Sequence, residues 1–320
     1  MENIDVSFPG LGLNFSVNRV AFSIGDFNVY WYGIIIGAGF LLALLFALKN
    51  LKRFGINSDS FFDCVLVGLV AGIIGARLYY VFFKWDHYSA NPGEIMSIHS
   101  GGLAIYGGII GGLGAACIMA KFRKINIPAM LDIGGMGFLI GQGIGRWGNF
   151  VNQEAFGTPT DLPWRMVSEN TGNVGVHPCF LYESLWCLAG FFVLLLLSYK
   201  WRRFDGQMFL LYLIWYGLER MLVEGLRTDS LYTPFFGLRV SQILSAVLVV
   251  VGIALLIAGL RKAPPPRGLA PAGGAPEEAE AKAEKTADTK EKTETPDKPG
   301  NSENTVKKPE NGDKINDEEK

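Results

Sequence analysis

Seven stretches of the chain stay apolar for about the 20 residues that a helix needs to cross a bilayer core. They cover 29–48, 61–83, 101–120, 128–147, 179–199, 207–224 and 240–260. Between them the pattern turns polar in gaps of alternating charge. KNLKR (49–53), KFRK (121–124), KWRR (200–203) and RK (261–262) close every second gap and together carry eleven positive charges. The other side holds few basic residues, among them Arg19, Lys84, Arg165 and Arg227, spread over far longer stretches. Because basic loops stay in the cytoplasm, the pattern predicts an amino terminus outside and a carboxy terminus inside. The expected fold is an all-α polytopic membrane protein of seven transmembrane helices. Residues 1–27 form an extracytoplasmic arm, 28–262 the membrane domain, and 148–178, rich in Gly, Pro and Asn, a small extracytoplasmic cap.

Composition sharpens this division. Hydrophobic residues make up 49% of the chain and charged ones 18%, but 12 of 29 Lys/Arg and 14 of 30 Asp/Glu lie in 261–320. From about Pro264 the chain is Ala/Pro/Gly-rich and then Lys/Glu/Thr-rich, with no aromatic residue after Phe236. Such a segment cannot bury enough apolar surface to offset its ordering entropy, so 263–320 is expected to be a disordered cytoplasmic tail; a partner-binding tail is the alternative. A net charge of −1 argues against a nucleic-acid surface. Cys64, Cys117, Cys179 and Cys187 form no C-x-x-C pair and read as packing residues. The opening MENIDVSFPG lacks the pattern of a signal peptide. No metal-ligand spacing is visible, and the glycine-rich GGIIGGLG (107–114) lies inside a span, so neither a metal nor a nucleotide cofactor is expected. Gly137/Gly141/Gly145 in the fourth span and Gly107/Gly111 and Gly108/Gly112 in the third form small faces, from which spans three and four are expected to pack together.

An ionisable side chain within a span is costly and calls for a partner or a function. Arg77 stands in GARLYY near the outer end of the second span. Arg146, Asn149, Asn152 and Glu154 cluster at the outer end of the fourth, in GRWGNFVNQEAFG (145–157). Glu183 opens the fifth, with His177 and Tyr182 beside it, and Arg220, Glu224 and Arg227 share a face of the sixth in YGLERMLVEGLR (216–227). All lie toward one side of the membrane, which describes a pocket at the outer leaflet rather than a proton or ion path. Arg220 and Glu224 alone fit a self-neutralising pair as well as a site. With Arg146 added, guanidinium charge outruns the nearby acids, and a guanidinium fork suits a phosphate.

At this point the chain resembles a known family. GRWGNFVNQEAFG fits the G-R-x-G-N-F-x-N-x-E-x-x-G signature of the prolipoprotein diacylglyceryl transferases at every fixed position, from Gly145 to Gly157. WYG (31–33, with Tyr32), HPCFLYE (177–183) and YGLERMLVEGLR resemble further family segments in the expected order, so the resemblance covers about residues 15–260. One position departs. Some relatives carry a histidine in the G-G-L-x-x-H-G-G stretch of the third span, where this chain has GGLAIYGG with Tyr106; His99 does not occupy that place.

The resemblance implies an enzyme of the bacterial cell membrane. Its partners would be phosphatidylglycerol, drawn from the membrane lipid, and a prolipoprotein signal peptide bearing a lipobox cysteine. The products would be a thioether and glycerol 1-phosphate. Arg146 and Arg220 are then expected to stabilise charge growing on the departing phosphate, with Glu154 and Glu224 holding those guanidiniums in place. Asn149 and Asn152 would donate to phosphate or glycerol oxygens, and Tyr32, Arg227 and Gly157 would complete the lipid site. For the base, Tyr106 and His177 both remain candidates, the latter competing with a role as helix cap. A lipid binder or transporter would share the arginine pocket, but the chain shows no internal duplication of the kind that builds transporters. A seven-span receptor or purely structural protein leaves the thirteen-residue motif without a purpose.

Overall fold

The computed structural model describes residues 3–97, 101–228, 237 and 239–263; His99 and the tail from Pro264 lie outside the described residues. In chain order the elements are β1 (Asn3–Phe8), β2 (Leu13–Asn18), β3 (Val20–Ile24), β4 (Phe27–Tyr30), α1 (Trp31–Asn50), α2 (Ser58–Phe83), α3 (Trp85–Ala90), α4 (Ile105–Phe122), α5 (Ile127–Asn152), β5 (Val167–Ser168), α6 (Cys179–Lys200), α7 (Gln207–Leu226) and α8 (Val240–Lys262). Among the described residues six helices are long and apolar enough to cross a membrane. The remaining long one, α7, carries Glu219, Arg220 and Glu224 in its last eight residues. The molecule is a mostly helical, multi-pass membrane protein.

The expectation of an all-α class is corrected at the amino terminus. In NIDVSF, Ile4, Val6 and Phe8 are buried while Asn3 and Asp5 are exposed, the two-residue period of a strand with one covered face. β1 pairs antiparallel with β2, from Asn3↔Asn18 to Phe8↔Leu13, and on its other edge with β5 through Val6↔Ser168 and Ser7↔Val167. β3 and β4 form a separate hairpin. The buried face of β1 cannot be covered by the arm alone; it packs on Met166, Val176 and Phe180. The arm and the 148–178 segment, expected as separate pieces, therefore build one cap over the same end of the helices.

Helix pairing also differs from the expectation. The small face of α4 meets α2 rather than α5. A Cβ added to Gly75 would lie 2.5 Å from the Gly107 carbonyl oxygen, and one on Gly111 would lie 2.6 Å from that of Ala71. Gly68, Gly72 and Gly75 of α2 supply the facing small residues, so two glycine faces meet and the backbones touch. The glycines of α5 serve α1 instead: Gly137 faces Ala43, and Gly145 faces Ile36. α5 is the hub of the bundle, lying against α1, α6 and α7.

At the basic-loop end, α5 and α7 are joined by a buried acid. Asp132, fully buried, accepts from the backbone amides of Gly206 (3.0 Å) and Phe209 (2.9 Å) and from Arg202 Nε (3.1 Å). α7 has no side-chain cap of its own, so Asp132 satisfies its first amides from a neighbouring helix.

Candidate active site

The cap end gathers the ionisable residues of three helices. Arg146 lies near the end of α5, Glu183 one turn into α6, Arg220 and Glu224 on the last turns of α7, and Arg227 at its C-cap. They converge on Glu183. Arg146 Nη2 is in direct contact with Glu183 Oε2, Arg220 Nη1 lies 3.6 Å from the same oxygen, and Arg227 Nη1 lies 3.6 Å from Oε1. Arg220 Nη2 also meets Glu224 Oε2 at 2.6 Å. The Glu183 side chain is 1% exposed, whereas that of Arg146 is 21% exposed. The acids are thus interior and the guanidiniums reach outward from them. Glu183 and Glu224 thus hold three arginines between them.

Glu224 meets Arg220. Among the described residues no ion pair joins Glu154, expected to hold an arginine, to one. Its Oε1 accepts from Asn149 Nδ2 at 2.8 Å and Asn152 Nδ2 at 3.4 Å. The cause is local: Gln153 and Ala155, on either side of Glu154, both hold left-handed backbone (φ 51° and 57°), which folds the chain back over the last turn of α5. Glu154 therefore presets the two amides. The brace of Arg146 is Glu183, which the polar pattern of the fifth span revealed but to which it gave no such part.

The motif glycines act through close approach. A Cβ on Gly148 would lie 2.7 Å from Tyr32 Cδ2, so only glycine lets the Tyr32 ring lie on α5. A Cβ on Gly157 would lie 2.7 Å from His177 Cβ and 2.9 Å from Cys179 Sγ. The Gly157 amide donates to the His177 carbonyl (2.9 Å) and the Thr158 amide to that of Leu226 (2.7 Å). The end of the motif is thereby stitched to α6 and to the turn that carries Arg227. Phe150 anchors the same turn to the cap, its ring 4.8 Å from that of Phe180.

Beside this group lies a cavity of about 780 Å³, lined by Tyr32, Gly33 and Ile34 of α1, by Phe27, Val29 and Tyr30 of β4, and by Arg19, Asn152, Glu154 and Asn170. Arg19, which counted in the sequence only as a loop charge, donates from Nη2 to the Asn152 carbonyl at 2.9 Å.

Three other residues stand apart. Tyr106 is on the first turn of α4, and among the described residues no hydrogen bond or ion pair joins it to the Glu183 group. His177 does not cap α6; its Nδ1 is 3.2 Å from the Tyr182 hydroxyl, which accepts from Trp164 Nε1 at 2.8 Å. Arg77 is buried and donates to the carbonyls of Glu94, Ile95, Gly101 and Gly102, so it organises the approach to α4.

The model of the prolipoprotein diacylglyceryl transferase family matches residues 19–258. The chain is 46% identical over 244 residues to the phosphatidylglycerol–prolipoprotein diacylglyceryl transferase of Finegoldia magna, covering 75% of this chain and 95% of the relative. It is 45% identical over 251 residues to the enzyme of that name from Bacillus velezensis, covering 75% and 92%. To that of Limosilactobacillus reuteri it is 44% identical over 256 residues, covering 77% and 92%.

Proposed function

The chain belongs to the prolipoprotein diacylglyceryl transferase family, and from that premise we propose how it moves the diacylglyceryl group of phosphatidylglycerol to a prolipoprotein, the first step of lipoprotein maturation. The acceptor is the thiol of the lipobox cysteine, carried at the outer end of a signal helix. The membrane is the bacterial cell membrane. Seven spans with the cap outside agree with the charge of the loops, and they bring lipid head group and cysteine to the same depth.

The nucleophile belongs to the substrate, so the enzyme's task is to favour departure of the phosphate. As sulfur attacks the glyceryl carbon, the bond from that carbon to the phosphodiester oxygen breaks, and the phosphate goes from one negative charge toward two. Guanidiniums at that phosphate bind the transition state more tightly than the ground state, which lowers the barrier. Arg146 and Arg220 have this role. Glu183 and Glu224 hold them from the interior side, Arg227 adds positive potential, and the amides of Asn149 and Asn152, preset by Glu154, donate to phosphate or glycerol oxygens. Gly157 holds the Arg227 turn in register, and Tyr32 forms a wall of the adjoining cavity. Tyr106 serves as a contact for lipid or thiol.

The observation that carries this chemistry is the convergence of three arginines on one buried carboxylate at the cap end. The test is a vesicle assay with phosphatidylglycerol and a lipobox peptide. The expected result is a diacylglyceryl mass increase on the cysteine, matched one-to-one by released glycerol phosphate. Folded protein that yields neither is a lipid binder instead.

A further inference from the structure

One acid at the cap end has no part in that chemistry. Glu219 on α7 is 2% exposed, and among the described residues neither of its carboxylate oxygens has a hydrogen-bond partner. A buried polar group without a partner is rare in a folded protein and costly within a membrane, so its persistence calls for a purpose. The other acids here are engaged: Glu183 by three arginines, Glu224 by Arg220, and Glu154 by two amides. Gln142, one turn below Arg146 on α5, shows the same shortage. Its Nε2 donates to the Tyr212 hydroxyl at 3.1 Å, while its buried Oε1 has no donor among the described residues. The seam between α5 and α7 is therefore rich in acceptors and short of donated hydrogens. The ionisable groups that face Glu219 are Arg146 from α5, Glu183 and Cys187 from α6, and Tyr212, Tyr216, Arg220 and Arg227 on α7 and its cap.

We propose that Glu219 is the base of the transfer, taking the proton of the substrate thiol. This rests on the transferase reading above. It follows from which lone pairs are unengaged. A proton on Glu183 would loosen three guanidiniums at once, and one on Glu224 would loosen Arg220. Glu219 takes a proton without breaking an ion pair, and it is the residue next to Arg220, so base and phosphate clamp share one helix end. The thiol proton passes to a Glu219 oxygen, and the sulfur lone pair forms the bond to the glyceryl carbon. The bond from that carbon to the phosphodiester oxygen breaks, with its electrons leaving on oxygen as glycerol phosphate. Water then takes the proton from Glu219. The tyrosine at position 106 is in this account no obstacle to catalysis, because the base is on α7.

The test uses the full chain in phosphatidylglycerol vesicles with a lipobox peptide, followed from about pH 6.5 to about pH 9. Glu219→Gln keeps the shape and removes the basicity. It is expected to lose about 100-fold in transfer at neutral pH. Its rate should then climb about tenfold per pH unit toward the thiol's own pKa near 8.5, because the thiolate must now form without help. The wild-type profile should level off at a lower pH than this, where Glu219 has lost its proton, and KM for lipid should not change. Glu219→Asp keeps a carboxylate with shorter reach and should be slower with the wild-type profile. Wild-type rates in Glu219→Gln, or a loss with no change in profile, overturn the proposal. So does an Asp variant that takes the steep profile, which decides the matter if the Gln variant does not fold. Absence of transfer by the wild type would count against the family chemistry instead, and is a separate result.

Discussion

Two groups of buried acid and arginine lie at opposite ends of the same bundle, and they are built differently. At the basic-loop end, Asp132 accepts two backbone amides and Arg202, all at ordinary distances, and ties α5 to the start of α7. At the cap end, among the described residues, Glu183 pairs with three arginines, Glu224 with one of them, and Glu219 with none. Both set buried acid against arginine, and both link α5 to α7. The first is complete without a ligand, since both carboxylate oxygens accept from donors of the fold. The second keeps, among the described residues, a buried carboxyl with no hydrogen-bond donor beside its arginines. A charged cluster in a membrane protein marks a site when its own members fail to satisfy each other, and a fastening when they succeed.

Substitutions can break this comparison. Glu183→Gln has the largest expected effect, because it releases three guanidiniums at once. Transfer should fall by about a thousandfold, read as thioether formed per folded molecule. A loss below about tenfold would mean the arginines are positioned by something else. Gly157→Ala comes next. Its new methyl group would meet His177 and Cys179, displacing the Arg227 turn, and a shift of about 1 Å costs about 100-fold. Retained activity would show that the stitch from Gly157 to α6 does not position the site. Asp132→Ala should separate stability from chemistry. Removing one partner of a buried pair costs about 3 kcal/mol, seen as a lower unfolding midpoint, while the folded fraction transfers within about twofold of wild type. A large loss in the folded fraction would erase the distinction between the two ends. Tyr106→Phe has the smallest expected effect, within about threefold, since this side chain joins no polar contact of the Glu183 group. A loss of about 100-fold there would move proton transfer back to α4.

Much of this was legible in the sequence, for identifiable reasons. Long apolar runs are local signals, so the second expected span at 61–83 corresponds to α2 at Ser58–Phe83, and the fifth at 179–199 to α6 at Cys179–Lys200. The thirteen-residue motif likewise named Arg146, Asn149, Asn152, Glu154 and Gly157 together. What escaped depends on contacts between segments remote in the chain. The glycine face of α4 predicts a close partner but not which helix supplies it, and Gly68, Gly72 and Gly75 of α2 decide that. The alternation in NIDVSF is six residues long and gains meaning only from Met166, Val176 and Phe180, which cover it. Glu183 became the hub only when α5, α6 and α7 were brought to one point. Glu219 was passed over because Arg220 and Glu224, four residues apart, read as the pair on that helix, whereas adjacent side chains on a helix point about 100° apart.

The central claim is that guanidinium geometry at the cap end, and not positive charge alone, carries the transfer. Arg146→Lys tests it most directly, since lysine keeps the charge and loses the planar fork. Single-turnover transfer from phosphatidylglycerol to a lipobox peptide should fall by about 100-fold or more, with membrane insertion and unfolding midpoint unchanged. Transfer at the wild-type rate in that variant would contradict the account.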